Sequence, residues 1–314
     1  MESGTLPAIP APQRQHTIML RVLALSVVML AVAVGTCAAE TTPRAAELCN
    51  RDVSNEQPTP HSNSAAESSS GEDSAAENEL LEAANQSREH AGVPPLRMDE
   101  TLREAARAHA RRMVASERLE HQLSGEPSLL ERIADVNPLK VDRAGENIAY
   151  ASCAPSANDV LMRSAPHRQN LLDRGFNIAG VAAIWSKGHL YVVQDFAHEV
   201  PSYSARESGK LVGRAVDEMR RQAGLPQLVQ LMTSNLDEAA CSLARENRPN
   251  AHLLAAAYDN RKIITYTQSR PEVLPQGALR LLHDPRIRQF AVGACYARNA
   301  AYPTGTYWVA VLLY

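Results

Sequence analysis

The chain has 314 residues, with 32 Lys and Arg against 35 Asp and Glu, and is 45% apolar but only 4% aromatic. That length supports a buried core and about two domains, and a net charge of −3 with no clustered basic face argues against a nucleic-acid partner. With three Phe and no basic run interleaved with aromatics, no base-stacking platform is expected either.

From Met19-Leu20-Arg21 the sequence enters a nearly uninterrupted apolar run, Val22 to Val34, followed by the small residues Gly35 to Ala39. This is the layout of a secretory signal peptide over 1–39, with Met19 as an alternative start. If it is retained instead, the same run is a membrane anchor, and the expected link to a membrane is through this leader alone. Cys37 is a poor lipoprotein cysteine, with Val34 three residues before it and Thr36 directly before it. Export predicts a secreted or cell-envelope location, where thiols pair. Once Cys37 leaves with the signal, Cys49, Cys153, Cys241 and Cys295 form an even set with three connectivities. Pairing within halves is the expectation: Cys49 with Cys153, and Cys241 with Cys295. No CxxC pair and no His at metal-ligand spacing from a Cys points to a structural zinc.

Residues 40–77 carry eight acids and two bases, a balance of −6, and Asn50 to Glu77 is rich in Ser, Glu, Asn, Pro and Ala. Low hydrophobicity and excess charge do not repay the entropy of ordering, so this stretch reads as a disordered acidic tether. Helical periodicity follows. Asn78 to Ala91 places Leu80, Leu81, Ala84 and Ser87 at three- and four-residue spacings and stops at Gly92-Val93-Pro94-Pro95. Asp99 to Leu119 places Leu102, Ala106, His109 and Met113 on one stripe. Ile178 to Trp185 and His189 to Phe196 read as strands joined by the turn Ser186-Lys187-Gly188. Helices first and an antiparallel hairpin last predict an α+β layered domain.

The pattern then recurs. Ala91-Gly92-Val93-Pro94-Pro95-Leu96 returns as Ala223-Gly224-Leu225-Pro226-Gln227-Leu228, and Leu102-Arg103-Glu104-Ala105-Ala106 as Leu236-Asp237-Glu238-Ala239-Ala240. Gly188-His189-Leu190-Tyr191-Val192-Val193 resembles Gly305-Thr306-Tyr307-Trp308-Val309-Ala310. Two copies of one unit, 78–200 and 208–314, account for the length.

Several motifs of the first copy carry a family resemblance. Asn85-Gln86-Ser87-Arg88, the Ala-rich helix to Met113, His121, Ala144-Gly145-Glu146-Asn147-Ile148-Ala149, and Ser164-Ala165-Pro166-His167-Arg168-Gln169-Asn170-Leu171-Leu172 occur in order before the hairpin. Together they resemble a bacterial domain of the CAP or SCP superfamily, which includes cysteine-rich secretory proteins, venom antigen 5 and plant pathogenesis-related proteins. The resemblance implies a three-layer α-β-α sandwich, exported, with a cleft lined by two His and acidic residues. It covers 78–200 fully and 208–314 more weakly, so two tandem copies are expected, the second degenerate.

The chemistry of such a cleft follows from residue type. His121, Glu146 and His167 come from separate segments and meet only through the fold. Two neutral imidazoles and a carboxylate suit zinc or another divalent metal with water in an open position. Alternatively Glu146 bonds an imidazole and fixes its tautomer. Ser164 stands where animal and plant members of the superfamily have a second Glu, and Leu161 where they have a Trp. As the sole candidate carboxylate, Glu146 pulls less on a metal than a pair would. Ser164 reads as a cap or a cleft-lining hydroxyl, with no oxyanion-hole loop in the sequence. In the second copy the His167 position falls on Leu279, or on Ala278 after a one-residue slip, the His121 position falls on Ala255, and no Gly-Glu-Asn segment occurs. His252 and His283 are off register and read as solvated. Over 201–314 there are 14 bases and nine acids, a +5 balance that suits an anionic wall polymer or lipid headgroup.

The expected function is binding at the cell surface or outside the cell, through a cleft lined by His121, Glu146, Ser164 and His167. The ligand class is lipid, wall component or host molecule, with a divalent metal on His121 and His167 helped by Glu146. The competing expectations are a metal-assisted hydrolase using the same three residues, and a purely structural envelope module. No catalytic residue is assigned from the sequence.

Overall fold

The computed structural model describes Cys49 and residues 71–136, 139–233, 235–258 and 261–314. The leader 1–39 with Met19 and Cys37, and the tether as far as residue 70 apart from Cys49, lie outside the described residues. Among the described residues no helix is long and apolar enough to cross a membrane.

The folded part opens on β1 (Gly71–Glu72), which pairs with Trp185 and Ile184, and on α1 (Ser74–His90). The Asp73 carboxylate accepts the Ala76 N–H at 3.0 Å and caps α1, satisfying a donor that a first turn leaves without an intrahelical partner. The helix therefore starts four residues before the expected Asn78, and the expected tether loses its last seven residues, 71–77, to the fold. The three acids of 71–77 that made this stretch look like a tether are the cap Asp73, the first-turn Glu77, paired with Arg107, and Glu72, paired with Arg111.

Next come β2 (Arg97–Met98), α2 (Glu100–Ser116), α3 (Leu129–Val136), β3 (Val141–Ala151), α4 (Ala154–Arg163), α5 (Ala165–Leu171), β4 (Ile178–Ser186) and β5 (His189–Glu199). The sheet runs β1-β4-β5-β3, with β2 parallel on β4. Side chains alternate across it. Ala149, Ala151, Val181, Ala183, Leu190 and Val192 pack under α1 and α4, while Ile148, Ala182, Ile184, Tyr191 and Val193 pack under α2. The result is an α+β sandwich of three layers. Gly180 lets α2 rest on β4: a Cβ there would lie 2.1 Å from the Leu102 carbonyl carbon.

A second sheet follows. The elements are α6 (Ala205–Gln222), β6 (Val229–Leu231), α7 (Leu236–Arg245), α8 (His252–Ala255), β7 (Lys262–Gln268), α9 (Gln276–Leu282), β8 (Gln289–Asn299) and β9 (Tyr302–Leu313). Its order is β6-β8-β9-β7, with β6 parallel to β8. α6 and α9 cover one face through Val212, Val216, Ala278 and Leu282. α7 and α8 cover the other through Leu236, Leu243 and Leu254, against Trp308, Ala310 and Leu312.

One buried arginine recurs. Arg88 donates to the carbonyls of Pro94, Leu171, Asp173 and Phe176, and Arg220 to those of Pro226, Leu282 and Asp284. Both are fully buried, and each ties the loop after its own helix to the end of another helix and the turn that follows it. The two sheets meet where the Thr304 hydroxyl donates to the Val141 carbonyl at 2.8 Å and the Lys140 ammonium sits 3.8 Å from the Tyr296 ring centroid. The disulfides are Cys49–Cys153 and Cys241–Cys295, the pairing within halves.

Candidate functional site

Among the described residues β3 pairs with one strand only, β5, and is the last strand of its sheet. The Gly145-Glu146-Asn147 triplet lies on it and sends chemistry to both faces. Gly145 leaves room for the Phe176 ring and the Asn170 side-chain oxygen, which a Cβ would approach to 3.0 and 3.4 Å. Asn147 turns toward α5, where its amide donates to the His167 carbonyl at 3.0 Å. Asn170 returns two bonds of 3.1 Å, to the Glu146 carbonyl and the Asn147 side-chain oxygen. The His-Arg-x-Asn motif and the triplet thus fasten α5 to the strand and set the height of His167.

Glu146 turns to the α2 face. Its Oε1 lies 2.8 Å from Nδ1 of His121, and its Oε2 takes a hydrogen bond from Arg132. A carboxylate facing Nδ1 keeps the ring proton there and leaves the Nε2 lone pair for other partners. The His121 side chain is 55% exposed, whereas Glu146 is 4% exposed. His167 arrives from the other face of the sheet, and the two rings meet with centroids 6.4 Å apart and planes at 38°. Nδ1 of His167 is buried with no hydrogen-bond partner among the described residues. His121, Glu146 and His167 are therefore gathered at one place, with the carboxylate bonded to an imidazole.

Ser164 occupies the N-cap position of α5, half-buried, but its hydroxyl makes no capping bond and none to either imidazole among the described residues. Pro166 at the helix start removes one N–H that a cap would satisfy.

Beneath the rings lies a buried ionisable cluster that the sequence did not single out. His109 Nδ1 is 2.9 Å from Glu126 Oε1, and its Nε2 is 3.7 Å from Glu146 Oε2. Arg132 reaches Glu126 at 3.6 Å as well as Glu146, and donates to the His121 carbonyl at 3.0 Å. Asp195, fully buried, is the cross-strand partner of Glu146, and neither of its carboxyl oxygens has a hydrogen-bond donor among the described residues. Three carboxyls face Arg132, with Arg112 at the rim 3.8 Å from Glu126. Charge balance is met when the Glu146–Asp195 pair holds a proton.

The titrations follow from burial. Burial pushes Glu146 up to about 7, against the opposing pull of Arg132, and pushes Asp195 well above the carboxylate range, helped by the charge of Glu146. Burial opposes ionisation of Glu126 too, but the bond to His109 and the Leu123 N–H outweigh it and hold that group low. Burial lowers His109, His121 and His167; the Arg132 charge adds to the effect at His121, and the His121 charge at His167. The imidazoles are neutral at pH 7 and present nitrogen lone pairs. No group of three or more His, Cys, Asp and Glu among the described residues is arranged to hold a metal ion.

The two imidazoles, the Gly-Glu-Asn strand and the His-Arg-x-Asn helix lie within the segment that matches known proteins. The model of the cysteine-rich secretory protein family, CAP, matches residues 81–196. The uncharacterized protein YkwD of Bacillus subtilis (strain 168) is 32% identical over 114 residues, 36% of this chain and 44% of that protein. The chain thus spans less than half the length of that curated relative. Among solved structures, an extracellular protein containing an SCP domain from Bacillus anthracis shares 24% identity over 40% of this chain and 41% of its own, with a TM-score of 0.36. A cysteine-rich secretory protein from Staphylococcus aureus shares 21% over 46% and 44%, with a TM-score of 0.34. Residues 81–196 carry a CAP domain, the module of the cysteine-rich secretory protein family.

Proposed function

We propose that this chain is an extracytoplasmic binding protein that takes a polar ligand of the cell surface or its surroundings between His121 and His167, with Ser164 and Glu146 lining the cleft. One observation carries the reading: two neutral imidazoles from opposite faces of the sheet meet at its last strand, 6.4 Å apart, while the charged groups beneath them are bonded to one another. Such a site offers fixed acceptors and no nucleophile with a base on it. For a divalent metal such as zinc, the donor set is the two imidazoles, with Glu146 as the carboxylate that orients His121. The ion would polarise a ligand oxygen as a Lewis acid. Hydrolysis is the second reading, supported by Glu146 at about 7, a range suited to proton transfer at neutral pH.

The second unit, 208–314, is proposed as a degenerate copy in a structural or partner-binding role. The support is the repeated sheet order, the paired arginines Arg88 and Arg220, and the paired glycines Gly180 and Gly293, each set against a leucine backbone, Leu102 and Leu236. Counting from these anchors matches His109 with Leu243 and His167 with Ala278, the slipped alternative rather than Leu279. Gly180 faces Asp195 while Gly293 faces Ala310, and the next partners across are Glu146 and Thr265.

Zinc titration calorimetry and retention on isolated envelope material test both statements, on wild type and the double variant His121→Ala/His167→Ala. Envelope retention is expected for wild type and its loss in the double variant; uptake of one zinc per chain that is lost with it would assign a metal to the two imidazoles. Retention that survives the double substitution refutes the cleft. Ester or peptide hydrolysis by wild type that is lost in Glu146→Gln moves the assignment to the second reading.

A further inference from the structure

Tyr150 is 41% exposed, the one exposed Phe, Tyr or Trp among the described residues. It is not a loose surface ring. Its face stacks on His189 with centroids 4.5 Å apart and planes at 24°, and Tyr191, its cross-strand partner, meets it edge-on at 4.9 Å and 80°. Its hydroxyl has no hydrogen-bond partner among the described residues. Lys187 and Glu117, paired at 2.5 Å and each about two-thirds exposed, lie close enough to act on the phenol electrostatically. Tyr150 is on the face of β3 that also carries Glu146, about 14 Å further along the strand at ~3.4 Å per residue.

We propose that Tyr150, held by His189 and Tyr191, is a stacking platform for a pyranose ring of a glycan. Three features select this ligand. A ring fixed by two aromatic neighbours loses little freedom on binding, as a preorganised platform requires. A protein partner needs a contiguous apolar patch of several hundred Å², and here a single ring is bordered by a charged pair and a hairpin turn. An anionic lipid surface needs uncompensated cations, and the ammonium of Lys187 is neutralised by Glu117. A sugar ring matches what remains: its C–H face covers the exposed side of the ring that His189 does not occupy, and its hydroxyls meet the phenol and the two charged side chains. The platform stands apart from the imidazole pair, so the proposal does not depend on the role of that pair.

Calorimetric titration of the intact protein with chitohexaose and with cellohexaose, in chelator, tests the proposal against Tyr150→Ala, Tyr150→Phe and His121→Ala/His167→Ala. Wild type is expected to bind at least one of the two, tenfold or more tightly than Tyr150→Ala. Tyr150→Phe, which keeps the ring, and the double His variant are expected within threefold of wild type. Circular dichroism melts identical to wild type establish that Tyr150→Ala is folded. The proposal is overturned by wild type binding neither sugar, by equal binding in Tyr150→Ala, or by Tyr150-dependent retention on phosphatidylglycerol vesicles without sugar binding.

Discussion

Replacing Asp195 by Asn removes one carboxyl from the buried cluster while keeping its shape, and the effect on stability is expected to depend on pH. Burial holds Glu146 at about 7 instead of 4.5, and holds Asp195, its cross-strand partner, well above the usual range. The folded pair keeps a proton that the unfolded chain releases, so stability is greatest below pH 4.5 and falls as pH rises through about 7. For a rise of that size the loss is about 3 kcal/mol at pH 8, and it belongs to the pair rather than to one residue. The three imidazoles act in the opposite sense. Burial lowers them, so the unfolded chain takes up protons first as pH falls below 6.5 and stability is lost on the acid side. They are common to both proteins and cancel in the comparison. With Asn at 195 the Asp195 share of that loss is removed, while burial and the Glu126 charge still oppose ionisation of Glu146. Thermal melts in chelator are expected to agree within about 2 °C at pH 4.5, and at pH 8 the variant is expected to melt about 5 °C higher, on a scale of roughly 2–4 °C per kcal/mol for a chain of this size. Equal destabilisation of Asp195→Asn at both pH values would refute the shared proton and mean that both carboxyls are charged and satisfied in the fold.

Gly180→Ala and Gly293→Ala are each expected to cost about 3 kcal/mol or more, because the new Cβ would stand 2.1 or 2.2 Å from a helix backbone atom; wild-type melting of either would mean that the helix is free to lift off the strand. Arg88→Met strips donors from four carbonyls and Arg220→Met from three. Losses of about 3–5 kcal/mol are expected in chemical denaturation, larger for Arg88, and a smaller loss at Arg88 than at Arg220 contradicts the bond tally. Non-reducing peptide mapping is expected to recover Cys49 linked to Cys153 and Cys241 linked to Cys295, and reduction is expected to cost the second unit about 4 kcal/mol. A Cys49 peptide joined to Cys241 or Cys295 would overturn the pairing.

Legibility in the sequence followed periodicity and punctuation. The stripe Leu102, Ala106, His109, Met113 and the hairpin around Ser186-Lys187-Gly188 are visible because one face is buried and the turn needs Gly188 at φ +78. The helix start at Ser74 was hidden because Asp73 and Glu77 read equally well as tether acids and as a cap with its first turn. The motifs carrying His121, Glu146 and His167 are legible as segments, but their geometry is not. That Glu146 serves His121 rather than standing beside it as an equal depends on strand register, and register is a property of pairs. Asp195 left a faint signal: a charge inside Val192-Val193-Gln194-Asp195-Phe196, where an apolar strand has no use for one. His109 left less, since a histidine on an apolar helix stripe is most often a satisfied core residue.

The proposal that 208–314 is a degenerate copy ties the buried cluster to how such a site would be lost. Glu126, Arg132, Glu146 and His109 are paired with one another, and removing one member leaves a desolvated charge or a further orphaned nitrogen, which is costlier than an apolar replacement of the whole set. A copy that drifts is therefore expected to shed the cluster as a group. The positions proposed as equivalents are Leu243 for His109, Thr265 for Glu146 and Ala310 for Asp195, two apolar residues and a hydroxyl with no charge to balance, while Arg220 and Gly293, the proposed counterparts of Arg88 and Gly180, hold the layers of the second unit together. In the first unit the same logic divides the site in two. His109, Glu126, Arg132 and Asp195 are buried and serve the fold as well as the proposed cleft, so changes there confound stability with binding. His121, 55% exposed and tied down through one nitrogen, is the member whose loss reports on the cleft with the least disturbance to the fold.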